Sequence, residues 1–181
     1  MRRFLTSVRS PSIILLLVLS ILALGPGVRR ASPDSGSATF QYLAGGGAIC
    51  GFFPGACPDI ASADNGDTIE ISGMGMLTIH PNSVGGAGTF KHKDPNGNLL
   101  ESGTWTAQEL ISFVPYALLS NNISGGEALI RVQLSTGPQA ILTVTCAIGN
   151  PRGKTEGSTL NIQDVINFNK HAGGITLFVK Q

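Results

Sequence analysis

From Thr39 onward, the chain alternates between apolar and polar residues in short runs, and clusters of Gly, Asn, Asp and Pro separate these runs. Alternation with a period of two places successive side chains on opposite faces of a strand. Residues 68–80 are an example, since Ile69 and Ile71 alternate with polar neighbours. The pattern predicts an all-β fold, a single antiparallel β-sandwich or small barrel of roughly eight to ten strands, over residues 39–181.

Turn chemistry locates three hairpins. In residues 89–106, two alternating runs flank Asn96-Gly97, a dipeptide that tolerates the positive φ angles of a tight hairpin turn. Two further hairpins are predicted, one pairing residues 129–134 with 141–148 and the other pairing residues 160–168 with 175–179. The glycine clusters at 45–47 and 85–88 are interpreted as flexible loops, and Ala in place of Gly45 is expected to have little effect.

The N-terminus has the organisation of a secretory signal. Arg2, Arg3 and Arg9 precede residues 13–24, a run of 12 residues that is apolar except for one serine. Gly and Pro follow before the run reaches the roughly 20 residues that a membrane span needs. We therefore predict a signal helix over residues 1–27, a flexible linker over 28–38, and a secreted or extracytoplasmic domain, in a periplasm or at a cell surface. An uncleaved membrane anchor is the alternative.

Charge and size limit the partners. The chain has 12 Lys and Arg against 11 Asp and Glu, and removal of the signal with its three arginines leaves 9 against 11. This near-neutral balance gives no electrostatic reason to expect nucleic acid, or any membrane contact except through an uncleaved signal. The partner is expected to be an extracytoplasmic ligand or protein. A domain of this size can bury a sufficient core, so no cofactor is expected.

Export permits disulfide formation, and the chain has three cysteines. Cys50 and Cys57 bracket a Gly- and Pro-containing loop that can fold back on itself, so this pair is the favoured disulfide. Cys146 lies among apolar residues of a predicted strand, where a free thiol behaves as a small hydrophobe. The alternatives are a bridge from either loop cysteine to Cys146, reduced thiols, or intermolecular disulfides. The cysteine spacing does not fit a zinc site, so no metal is expected.

The sequence contains no recognisable catalytic motif, so no catalytic residue is assigned. Two residues are candidates for proton transfer. Alternation over residues 160–168 would place Asp164 on an apolar face, where an unpaired carboxylate is unfavourable. His92 lies in the first hairpin, and a carboxylate such as Asp94 or Asp164 could pair with it. Ordinary structural roles for both, such as a bulge, a sheet edge or pairing of Asp164 with Arg131, are the simpler interpretation.

Three segments resemble a group of exported, mostly bacterial proteins of unknown function: residues 85–105, 142–151 and 167–179. The resemblance implies an extracytoplasmic compartment and one domain, and it transfers no site residue.

Two functions are therefore considered. The first is a non-enzymatic binding or structural role outside the cytoplasm, because a β scaffold is evident and a catalytic constellation is not. The second is a small β-barrel enzyme, an isomerase or hydrolase, that acts on an apolar ligand with Asp164 and His92. A filled core would favour the first function, and a polar-lined cavity inside the sheet would favour the second.

Overall fold

The computed structural model describes residues 36–120 and 122–181, and these residues form an antiparallel β-structure. Its elements are β1 (Ala38–Ala44), α1 (Ile49–Phe52), β2 (Asp59–Ser62), β3 (Thr68–Ile79), β4 (Ser83–Lys93), β5 (Leu99–Leu118), β6 (Ile123–Leu134), β7 (Gln139–Cys146), β8 (Gly157–Ile162), β9 (Ile166–Phe168), β10 (Lys170–Gly173) and β11 (Thr176–Lys180). The predicted all-β antiparallel fold is confirmed.

Six strands form a ring. In order around the ring they are β1, β3, β4, β5, β6 and β11, and each pairs antiparallel with the next. The ring closes through β11, which pairs with β1 on one side and with the start of β6 on the other. The first and last strands of the domain are therefore neighbours.

Two arms extend the ring. Strands β2 and β10 continue from the first half of β3, and strands β7, β8 and β9 continue from β6. The arms meet where β2 contacts β8. A second hydrophobic cluster lies beneath α1 and consists of Leu43, Ile49 and Ala56.

Glycines in β3 and β4 make room for two aromatic rings. Gly73 pairs with Gly88, and a Cβ atom on either residue would lie within 2.6 Å of the Trp105 ring. Gly75 pairs with Gly86 in the same way against the ring of Tyr42. Both aromatic side chains are fully buried as a result.

The interpretation of residues 85–88 as a loop is wrong, whereas residues 45–47 do connect β1 to α1. The expectation that Ala in place of Gly45 has little effect is contradicted by the packing around that residue. Residues 85–88 lie within β4. Gly45 has φ +54°, and a Cβ atom on it would lie 2.1 Å from the backbone nitrogen of Asp59. A short turn-rich sequence resembles a loop, but here another segment of backbone lies in the space that a side chain would need.

Two of the three hairpins are present as predicted. The amide of Gly97 donates to the carbonyl of Asp94 in the β4–β5 turn, and β6 pairs with β7 from Gly126 to Gln133. The third is wrong: β8 pairs with β9, whereas β11 pairs with β1 and β6. Strand β11 thus pairs with β1, which lies at the other end of the domain in sequence. Turn residues indicate only pairings between strands that are close in the chain.

The predicted signal helix at residues 1–27 and most of the predicted linker at 28–38 lie outside the described residues. Within the described part of the chain, no helix has the length and apolar character needed to cross a membrane.

Candidate functional site

An apolar groove of about 240 Å³ opens beside α1. Its lining residues are Ile49, Phe53, Leu119, Ile123, Cys146, Ile148, Glu156, Ile175, Thr176 and Leu177. Almost all of the surface that these side chains present to the groove is apolar. Binding sites for small molecules commonly combine such a lining with a few polar groups.

One wall of the groove is a loop closed by a disulfide. The Sγ atoms of Cys50 and Cys57, the pair favoured from the sequence, lie 2.06 Å apart. The loop is attached to the sheet because the amide of Ile175 donates a 3.0 Å hydrogen bond to the carbonyl of Ala56. Ile49 is buried against Leu43 of β1 beneath the loop. These contacts hold the Phe53 side chain at the groove.

The opposite wall is the connection between β5 and β6. The amide of Leu119 donates a 2.8 Å hydrogen bond to the carbonyl of Ile123, which begins β6. Ile123 pairs with Val179 of β11, so this connection lies beside the strand that carries Leu177. The groove therefore spans the width of β11.

The polar lining residues bond to one another and to the backbone. Glu156 Oε1 accepts hydrogen bonds of 2.8 Å from both the amide and the hydroxyl of Thr176. Glu156 Oε2 accepts a 2.6 Å hydrogen bond from the amide of Ala147. This carboxylate thus anchors the start of β11 to the β7–β8 connection.

Cys146 contributes a thiol to the groove wall. The residue is 1% exposed and is not bonded to another cysteine. Burial raises the pKa of the thiol to about 11, so it stays protonated near neutral pH. A protonated thiol is a weak nucleophile and a weak metal ligand, which makes this side chain an apolar part of the wall.

A second carboxylate, Asp59, lies fully buried at the junction of the two arms. Its Oδ2 accepts a 2.5 Å hydrogen bond from the hydroxyl of Ser158, and its Oδ1 has no hydrogen-bond partner. Burial raises its pKa to about 7, and the negative charge of Glu156 adds to the effect. Sequence analysis missed this residue, although alternation with Ala61 on the buried face of β2 would have indicated it.

His92, one of the two residues singled out from the sequence, has a carboxylate partner. Its Nε2 lies 2.8 Å from Oδ2 of Asp67, and its ring meets the ring of Phe168 edge-on at 5.0 Å. The partner is therefore neither Asp94 nor Asp164. The carboxylate of Asp94 instead accepts hydrogen bonds from Asn96 and Asn98 within its own turn.

The expectation that Asp164 lies on an apolar face is wrong. Strand β8 ends at Ile162, and Asp164 occupies the following turn with φ +57°, exposed to solvent. The turn interrupts the alternation on which the expectation depended. Arg131, considered as a partner for Asp164, donates to Glu109 at 2.9 Å. Asp164 and His92 thus occupy separate environments and form no common site.

No protein-family model, curated protein or solved structure matches the chain. Among the residues that the structure describes, no group of three or more His, Cys, Asp or Glu side chains is placed to hold a metal ion. The apolar groove is the feature with the clearest chemical character.

Proposed function

We propose that the domain is a non-enzymatic binding protein that holds a small apolar molecule in the apolar groove. The observation that carries the proposal is the composition of the groove, whose walls are aliphatic and aromatic side chains. Its two polar side chains, Glu156 and Thr176, already bond to each other. A ligand would gain affinity by removing apolar surface from water, with little demand for directed hydrogen bonds.

Binding is a better account of this groove than catalysis. General acid–base chemistry needs a proton carrier within hydrogen-bond reach of the ligand, and nucleophilic chemistry needs an activated nucleophile. The carboxylate of Glu156 is engaged with backbone amides, and the thiol of Cys146 is protonated near neutral pH. Both groups support the walls of the groove.

The proposed site of action is outside the cytoplasm. The basic and apolar N-terminal sequence supports export, and the Cys50–Cys57 disulfide is consistent with an oxidising compartment. The intact mass of the exported protein tests this part of the proposal. We expect a mature N-terminus between Pro26 and Ser32, and retention of Met1 in a membrane fraction would indicate an anchor instead.

Fluorescence titration with N-phenyl-1-naphthylamine, a neutral apolar probe, tests the binding function. We expect saturable binding that Leu119→Asp weakens by at least about tenfold, because the new carboxylate must lose water in the apolar wall. Leu99→Asp is the matched control, since Leu99 is a comparably exposed leucine outside the groove lining. Absence of probe binding, or equal weakening by both variants, would refute the groove as the site.

A further inference from the structure

Two adjacent loops project large apolar side chains into solvent at the mouth of the groove. We call these four residues the apolar tips: Phe52 and Phe53 of the disulfide loop, 77% and 57% exposed, and Leu118 and Leu119 at the end of β5, 60% and 68% exposed. Phe53 and Leu119 both line the groove, so the two loops share one end of the molecule. Exposed apolar residues scattered singly are ordinary, but a grouped set marks an interaction surface.

The two loops that carry the apolar tips contain no charged residue of their own. Residues 45–58 contain no Asp, Glu, Lys or Arg, and neither do residues 119–122. The acidic side chain that lines the groove, Glu156, is held by backbone amides. Protein–protein interfaces usually place polar and charged residues in a rim around their apolar centre. Loops whose apolar residues are flanked along the chain only by uncharged polar residues, here Ser120 and Asn122, are better matched to the surface of a neutral bilayer than to such a rim.

Several backbone groups of both loops are hydrogen-bonded within the protein. In the disulfide loop, the amide of Phe53 donates to the carbonyl of Ile49, and the amide of Ala56 donates to the carbonyl of Phe53. In the other loop, Leu119 bonds to the carbonyl of Ile123. Backbone groups that enter hydrocarbon must be satisfied within the protein, because no water is there to replace the hydrogen bonds.

The disulfide limits the entropy that docking would cost. Cys50 and Cys57 close the loop that carries Phe52 and Phe53, and Ile49 and Ala56 pack beneath it. A loop already held in one arrangement loses less conformational freedom when it meets a partner. The disulfide loop therefore presents Phe52 and Phe53 in one fixed arrangement.

We propose that the apolar tips dock this end of the protein on a lipid surface, by inserting among the headgroups of a bilayer. The groove mouth then faces the acyl chains. The driving force is burial of apolar surface and not attraction between charges, in keeping with the near-neutral balance of the mature chain. Docking depends on the tips and not on an occupied groove, so it can fail or succeed independently of the proposed binding function.

Flotation with vesicles of dioleoylphosphatidylcholine tests the proposal, using the protein purified after export with its N-terminus verified by mass. We expect the wild type to float with the vesicles, with a bound fraction that is unchanged between low and high salt. The double variant Phe52→Asp/Leu118→Asp should reduce the bound fraction at least about tenfold, because two carboxylates would have to enter the apolar phase. Neither residue lines the groove, so this variant should retain naphthylamine binding in solution.

The control variant is Leu99→Asp/Leu100→Asp, which makes the same change of charge at two leucines that are 57% and 56% exposed elsewhere. It should float like the wild type. Phe52→Ser/Leu118→Ser removes the same apolar side chains without adding charge, so it is less prone to misfold than the aspartate variant. It should also lose flotation, which would show that the loss comes from the missing apolar side chains. The proposal is overturned if the wild type does not float or if the control variant loses flotation equally. It is also overturned if sedimentation shows that the tips bury each other between two copies.

Discussion

The hydroxyl of Ser158 donates a 2.5 Å hydrogen bond to Oδ2 of Asp59, although the two residues are 99 positions apart in the chain. Asp59 begins β2 and Ser158 lies in β8, so the bond joins the two arms of the sheet. Both residues are fully buried, and Oδ1 of Asp59 has no hydrogen-bond partner. One hydrogen bond does not replace the water that an ionised carboxylate loses on burial.

This environment predicts a stability that falls as pH rises. Burial raises the pKa of Asp59 from 3.8 to about 7 in the folded protein. The folded state therefore binds the proton more tightly than the unfolded state. The resulting stabilisation is complete below pH 3.8, declines between pH 4 and 7, and is lost as pH rises past 7. Its full size is up to about 4 kcal/mol.

Urea unfolding of the wild type and Asp59→Asn across this pH range measures the effect. The amide does not titrate and can still accept the Ser158 hydrogen bond, so we expect the variant to lose this decline and to be more stable than the wild type at pH 8. Asp164→Asn, at an exposed carboxyl group, should keep the wild-type profile. Parallel pH profiles for the wild type and Asp59→Asn would contradict the assignment of the titrating group to Asp59.

Two glycines of β4 should respond very differently to alanine. A Cβ atom on Gly88 would lie 2.0 Å from the carbonyl oxygen of Ser72 and 2.6 Å from the Trp105 ring, whereas one on Gly85 would meet nothing within 4 Å. Gly88→Ala should destabilise the domain by about 3 kcal/mol, because strand and ring must both shift. Gly85→Ala should change the unfolding free energy by less than about 0.5 kcal/mol. Similar melting temperatures for the two variants would show that Trp105 does not pack on β4 as described.

The sequence predicts those features that depend on neighbouring residues. Alternation and turn chemistry are sufficient for the antiparallel class and for the turn at Asn96-Gly97, since both depend on local backbone geometry. Pairing of β11 with β1 is not local, and no pattern within residues 160–179 reports it. The groove is missed for the same reason, because Phe53 and Leu119 come together only through the ring. Adjacent phenylalanines in a loop of Gly and Pro were the one signal that could have indicated it.

A comparison of Gly45→Ala with Gly97→Ala separates the effect of steric exclusion from the effect of backbone strain alone. Gly45 and Gly97 both have positive φ, +54° and +84°, but only Gly45 has backbone atoms of Asp59 and Ile71 where a Cβ would lie. Gly97→Ala should cost about 1 kcal/mol from strain. Gly45→Ala should cost at least about 3 kcal/mol, because the start of β2 must also move. Equal losses in chemical denaturation would mean that Gly45 lies farther from the start of β2 than described.

The cysteines provide the last prediction. Cys50 and Cys57 close a short loop, and in the chain-entropy model such closure stabilises the folded state by about 2.5 kcal/mol. Cys50→Ser/Cys57→Ser should therefore lower the unfolding free energy by about that amount. It should also reduce vesicle flotation, because the loop with Phe52 and Phe53 is no longer held in place.

Cys146, buried and with its thiol pKa raised to about 11, should resist a thiol reagent in the folded protein and react once the protein is unfolded in urea. Non-reducing peptide mapping should recover one cross-linked peptide that contains Cys50 and Cys57. Recovery of Cys146 in that peptide would refute the pairing and with it the closed loop that presents the apolar tips.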